Sequence, residues 1–194
     1  MLKPQDVVLL LKLLANSEHL KWSQAQMARD LCISVSEINA GIKRLISAGL
    51  LLITPPVLIG LFDPSLNELL HSRQQIEKLY QPVLKACEEF LISGVKYMFP
   101  VKLGEITSGI ATSYAAPVLK GYTIGNDPIP VWPYAMGQQR GMSLEPLYPS
   151  VPKSVSLFPD TEFYDLLCLV DTLRQGNIRE RAQATKILTE RIHS

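Results

Sequence analysis

Two helix-start signals eleven residues apart constrain this chain more than any other feature of it. Ser23 and Gln26 have the spacing of a capping box, and Ser34 and Glu37 repeat it. In such a box the hydroxyl accepts from an orphan amide of the first turn while the longer side chain reaches back to the cap amide. The second start follows so soon that the first helix must be short, with its break at Leu31-Cys32-Ile33. Gly49 supplies a left-handed stop for the second helix, and Leu50-Leu51-Leu52-Ile53 can begin a strand. Short helix, tight turn, second helix and strand is the order of a winged helix-turn-helix.

Apolar spacing then separates the faces of the second helix. Ile38, Ile42 and Leu45 recur at i, i+4 and i+7, one stripe of a 3.6-residue period. Ala28 and Leu31, with Trp22 before them, are the surfaces for that stripe to pack on. The opposite face carries Val35, Ser36, Asn39, Ala40 and Lys43, with Arg44 at its edge. Asn can pair bidentately with adenine, Lys can donate to guanine, and short side chains admit a helix deep into the major groove. Arg44, Ser23 and Lys21 are placed to touch phosphates, and Lys43 can equally do so, contacts that position without specifying. The competing reading is an ordinary helical hairpin inside a core.

Residues 28 to 51 have the form A-x-x-L-x-I-S-x-S-E-I-x-x-x-I-K-R-L-x-x-A-G-L-L, and here the sequence resembles the MarR-like winged-helix transcription regulators of bacteria. The resemblance implies a recognition helix over Ser34 to Ser47 and a β-hairpin wing after it. Two positions depart from the pattern. Cys32 stands where Gly is the common turn residue, and the stretch LITPPVLIGLF (52 to 62) lacks a basic wing tip. The run FLISGVKYMFP, then SYAAPVL, PVWP, RGMSLEPLYPSVP and LLCLVDTLRQGNIRERAQA, within residues 90 to 192, resembles a family of bacterial helix-turn-helix proteins that carry this C-terminal region behind a MarR-like head. In layout the chain is also similar to the antitoxins of type IV toxin–antitoxin systems. That likeness implies a toxin or defence component as protein partner and repression of its own operon.

Charge tempers the expectation of tight DNA binding. The formal net charge is +1. In the first 54 residues Lys3, Lys12, Lys21, Arg29, Lys43 and Arg44 oppose Asp6, Glu18, Asp30 and Glu37, six against four. A homodimer on double-stranded DNA would double the phosphate contacts. Cys32, Cys87 and Cys168 form no C-x-x-C pair and read as small buried hydrophobes in apolar helices. His19, His71 and His193 share no ligand spacing with them, so neither metal nor cofactor is expected. The run MLKPQDVVLLLKLLAN is broken by Asp6 and Lys12 and is too short to span a bilayer. It reads as a first helix opened by Pro4, with no membrane association and a cytoplasmic location.

The expected fold class is mainly α with small β content (α+β). Residues 1–62 form the winged helix-turn-helix domain. Residues 63–93 form a helical segment that reads as a connector or as a dimer interface, whose apolar stripe includes Leu79 and Tyr80 and which Pro82 divides or bends. Residues 94–194 form a Pro-rich α+β C-terminal domain. Nine of the fourteen prolines fall between positions 100 and 159, and a loop-rich layer anchored by Trp132, Tyr134 and Tyr148 is expected there, with short β pieces at Val95 to Phe99 and Tyr122 to Ile124. Two closing helices start at Asp160 or Thr161 and at the Asn177–Glu180 cap pair. Arg140, Glu145, Asp171, Arg174 and Arg179 are the candidate ligand or partner residues, against a plain salt-bridged surface. No G-x-S-x-G, P-loop, G-x-G-x-x-G or H-E-x-x-H occurs, so no enzyme is expected. A regulator that senses a small molecule between the loop layer and the helices stays open.

Overall fold

The computed structural model describes residues 1–15, 23–54, 79–121 and 128–193. Over them the architecture is mixed α and β. Helices α1 (Pro4–Ala15), α2 (Gln24–Leu31) and α3 (Val35–Ser47) lead into strand β1 (Leu51–Thr54). Strand β2 (Leu79–Pro82) follows, then α4 (Leu84–Glu89), a π-helical turn (Phe90–Gly94) and α5 (Val95–Met98). Strand β3 (Leu103–Ala111), two short 3-10 turns, β4 (Pro130–Pro133) and β5 (Gln139–Leu144) precede α6 (Val151–Leu157), α7 (Thr161–Gln175) and α8 (Ile178–His193). Among the described residues no helix is long and apolar enough to cross a membrane. The expected wing tip, the 63–78 part of the connector and the Tyr122–Ile124 piece lie outside them.

Two buried helices organise the rest. Every residue of α1 from Asp6 to Leu14 is buried, because α3 packs on one side of it and α7 on the other. Phe163 and Leu166 to Leu173 are buried along α7 in the same way. One hydrophobic cluster therefore runs from Val7 through Leu45 and Leu91 to Ile192, joining the N-terminal and C-terminal segments. Lys12 is the cation that this sandwich encloses; it meets Asp160 at 2.6 Å and lies 5.1 Å from the centre of the Phe163 ring. Asp160 also caps α7 by accepting from the Phe163 amide, so one carboxylate starts α7 and fixes α1 against it.

Three local expectations are corrected. Leu79 and Tyr80 are strand rather than helix, because β2 pairs antiparallel with β1 from Leu51↔Pro82 to Thr54↔Leu79. The ladder satisfies backbone groups that a helix would otherwise have used. Val95–Met98 is helix rather than strand. Cys87, Leu91 and Val95 are all fully buried at i, i+4 and i+8, and that stripe carries the helix across the π turn. β propensity at Val95 loses to packing.

The third correction is larger. The Pro-rich stretch is a small closed sheet, not a loop layer: β3 pairs antiparallel with both β4 and β5, and β4 runs parallel to β5. Prolines stand at both ends of β4, where a missing donor is tolerated. Glycine makes the closure possible. A β-carbon at Gly109 would strike the Trp132 carbonyl, and one at Gly141 the Ile129 carbonyl. Trp132 is accordingly buried, as an anchor was expected to be, and meets Tyr164 edge-on at 5.9 Å.

Candidate functional site

Both helix-start signals act as caps. Ser23 Oγ accepts from the Gln26 amide at 3.1 Å, and Ser34 Oγ accepts from the Glu37 amide at 3.2 Å. Glu37 does not return the bond to its cap. Its carboxylate accepts from Gln5 on α1 at 3.0 Å and lies 3.5 Å from Arg44, and the Gln5 bond leads in holding its pKa below the ordinary value. The cap pair at Asn177 and Glu180, in contrast, closes in both directions, at 2.8 and 3.0 Å.

The turn between α2 and α3 falls where expected. Cys32 adopts a left-handed conformation (φ 53°) that glycine more often supplies. Its amide donates to the Arg29 carbonyl, and the Ile33 amide reaches the Ala28 carbonyl at 2.9 Å. That leaves the last two carbonyls of α2 to be satisfied. Ser154 Oγ donates to Asp30 O at 2.6 Å and Ser150 Oγ to Leu31 O at 2.7 Å, both from the α6 segment. Residues more than a hundred positions away thus finish the cap, and with it the setting of α3 relative to α2.

Cysteine exposure follows from these placements. Cys87 and Cys168 are buried, while Cys32 is half-exposed at the turn rather than inside a helix. Burial raises the Cys87 thiol to about 12 and carries Cys168 well above its ordinary value. Thiolate is the reactive form. Native protein is therefore expected to release one equivalent of chromophore promptly with an aromatic disulfide reagent, and three after unfolding. Fast reaction of a second thiol in the native state would contradict the buried placements.

On α3 the inward stripe is Ile38, Ile42 and Leu45, all at 2% exposure or less. Gly41 joins it, with space for a β-carbon only 3.0 Å from Asp6 Oδ1. Facing outward, Val35 is 49% exposed, Ser36 and Lys43 are exposed, and Asn39 and Ala40 are half-buried. Asn39 Nδ2 donates to Gln24 Oε1 at 3.2 Å, which orients the amide across the α2–α3 groove and leaves its second hydrogen available. Gln24 was not anticipated; its role depends on how α2 lies against α3, which no local spacing encodes. Ser23 is exposed at the start of α2, and Lys21 lies outside the described residues.

Arg44 is placed differently from its expected phosphate contact. Nε and Nη2 each donate at 2.7 Å to the two oxygens of Asp6, whose side chain is fully buried. This bond leads in holding the Arg44 pKa above its ordinary value. Asp6 also accepts from the Lys3 amide at 2.8 Å, tying the start of α1 into the same pair. The guanidinium braces α3 against α1.

The second candidate cluster divides. Arg140 and Arg179 are exposed on β5 and α8, and Glu145 is exposed just after β5. Asp171 and Arg174 instead form a buried pair at 2.6 Å, their side chains 2% and 4% exposed. Asp171 further accepts from Trp132 Nε1 at 2.6 Å and from Thr112 Oγ1 at 2.9 Å. Burial pushes its pKa up, while Arg174 and these two donors act in the opposite direction. Arg174 also donates to the Phe99 carbonyl at 2.8 Å and the Glu145 carbonyl at 3.3 Å. This pair knits α5, the sheet and α7 together and presents no charge to a ligand. Among the described residues no His, Cys, Asp and Glu cluster able to hold a metal occurs. Comparison with protein-family models, with curated proteins and with solved structures finds no match to this chain.

Proposed function

We propose that this protein is a sequence-specific double-stranded DNA-binding regulator acting as a homodimeric repressor, with α2 and α3 as the helix-turn-helix and the β1–β2 pair as the root of a wing. The observation that carries this reading is the outward face of α3. Val35, Ser36 and Lys43 face solvent, with the half-buried Asn39 amide between them, on a helix whose other side is fixed by a buried stripe and a bidentate ion pair. A rigid helix with small residues leading and an oriented Asn behind them suits the major groove. Ser23, at the start of α2, suits a phosphate.

The test is a mobility shift of the purified protein on the DNA upstream of its own gene, at two salt concentrations, against excess unrelated duplex. Asn39→Ala is expected to lose about 1–3 kcal/mol on the cognate site and to relax specificity there. Lys43→Ala, as a phosphate contact, is expected to weaken all sequences alike and to lower the salt slope by about one. Absence of any specific shift, or indifference to both changes, refutes the reading.

A second reading is an antitoxin or defence accessory that grips a partner protein through its C-terminal region while regulating its own operon. It is favoured by exposed apolar side chains there: Tyr97 at 78%, Met136 at 80% and Ile178 at 83%. The net charge of +1 favours it too, since it gives no general attraction to DNA.

A further inference from the structure

Beside the closed sheet, with Ser156 of α6 at its edge, lies an open cleft that none of the preceding roles uses. Its volume is about 500 Å³, and Ile129, Tyr134, Met136, Gln138, Ser156 and Tyr164 contribute to its walls. Among the described residues no Asp, Glu, Lys, Arg or His lines it. One wall is well fixed: the Tyr164 hydroxyl donates to the Ala111 carbonyl at 2.6 Å, and its ring rests against Trp132. Burial keeps this phenol neutral. At the rim, Met136 is 80% exposed on the Tyr134–Gly137 turn, an apolar and adaptable side chain held out into solvent. The volume is in the range of small-molecule sites, and the lining mixes apolar side chains with amide and hydroxyl groups. An uncharged lining disfavours a charged occupant, which would lose its hydration without gaining a counter-charge.

The cleft also touches the element that finishes α2. Ser154 and Ser156 lie about 200° apart around α6, nearly opposite one another. Ser154, with Ser150 at the start of α6, holds the last carbonyls of α2; Ser156 lines the cleft. α6 is thus a short spacer between the cleft and the turn at Cys32. We propose that the cleft is an effector site for an uncharged aromatic small molecule, and that α6 couples its occupancy to the α2–α3 turn. An occupant that restrains α6 restrains the cap it supplies, which is coupling through order as much as through displacement. Regulation of DNA binding by this route rests on the function proposed above; occupancy and coupling do not, and they are read without DNA.

The experiment uses the full-length protein and the uncharged fluorophore N-phenylnaphthylamine, with naphthol and naphthoate as neutral and anionic competitors. Fluorescence is expected to rise on binding, with naphthol displacing the probe at concentrations where naphthoate does not. Ser156→Trp, at an exposed position that fills the cleft from the α6 side, is expected to abolish the rise. Gln138→Trp fills it from the other wall, at an exposed position also, and serves if the first variant folds poorly. Saturating naphthol is then expected to slow labelling of Cys32 several-fold in the wild type. With Ser150→Ala and Ser154→Ala combined, naphthol still binds and the labelling rate no longer responds. No fluorescence rise, binding that survives both Trp variants, or preference for naphthoate overturns the site. Unchanged Cys32 labelling at saturation overturns the coupling. A failed mobility shift alongside these positive results would leave the site standing and sink only the DNA-binding reading.

Discussion

Arg174→Ala is expected to lower the unfolding free energy by about 3–5 kcal/mol, the range seen when one partner of a buried ion pair is removed. The size follows from what is left behind. Asp171 is fully enclosed, and without Arg174 its carboxylate keeps only Trp132 Nε1 and Thr112 Oγ1. Two more acceptors lose their donor at the same stroke, the carbonyls of Phe99 and Glu145. A chain of this size shifts its midpoint by roughly 2–4 °C for each kcal/mol, so a drop near 10 °C is expected. Adding Asp171→Asn to Arg174→Ala is expected to recover part of the loss, since a neutral amide needs no counter-charge. Urea unfolding of the two single variants and the double variant measures this directly. Equal losses in all backgrounds would mean that the charge of Asp171 does not matter.

The same variant carries a pH signature of definite sign. Burial already raises the Asp171 pKa, and Arg174 is the leading influence holding it down. Removing Arg174 raises it further. In the pH interval between the unfolded carboxylate value and this raised value, the folded state binds more protons than the unfolded one. Stability then rises as pH falls through that interval. The deficit of Arg174→Ala relative to wild type is therefore expected to narrow on acidification, above the onset of general acid unfolding. A deficit that stays constant from neutral pH down to the carboxylate range would assign the loss to packing alone.

Local signals were legible in the sequence, and distant pairings were not. The caps at Ser23, Ser34, Asp160 and Asn177 each involve residues three apart, and all four bonds form. The buried stripe of α3 follows from a 3.6-residue period, and the stop at Gly49 from its positive φ of 72°. By contrast, Arg44 meets Asp6 across 38 positions, and Asp171 meets Thr112 across 59 and Trp132 across 39. No periodicity encodes such partners. The closed sheet was hidden for a related reason. Its strands are rich in Pro and Gly, residues that ordinarily argue against β structure, and here they allow backbones to cross closely where Trp132 and Ile129 present their carbonyls. Cys32 is the intermediate case. The turn was readable, but the serines that complete it come from α6.

Arg44→Ala is expected to cost about 3 kcal/mol of stability. It also separates two roles that the sequence could not distinguish. If Arg44 served mainly as a phosphate contact, its loss would weaken DNA binding and leave folding unchanged, as is usual for an exposed surface charge. The structure assigns the larger effect to folding, because the residue left behind is a fully buried carboxylate with one remaining donor, the Lys3 amide. The low end of the range applies, since Arg44 itself is 21% exposed and its removal opens a path for water to Asp6. Arg44→Lys is expected to fall between wild type and alanine: an ammonium restores the charge but cannot offer two parallel donors to two carboxylate oxygens. Asp6→Asn at the same contact should cost less than Arg44→Ala, because the guanidinium freed by it reaches solvent. Chemical denaturation of the three variants ranks them, and a ranking with Asp6→Asn worst would overturn the assignment of the buried charge. Because this pair ties α3 to α1 beside the Gln5–Glu37 bond and the close approach at Gly41, any loss of DNA affinity in Arg44→Ala is expected to track its loss of stability rather than the salt dependence of binding.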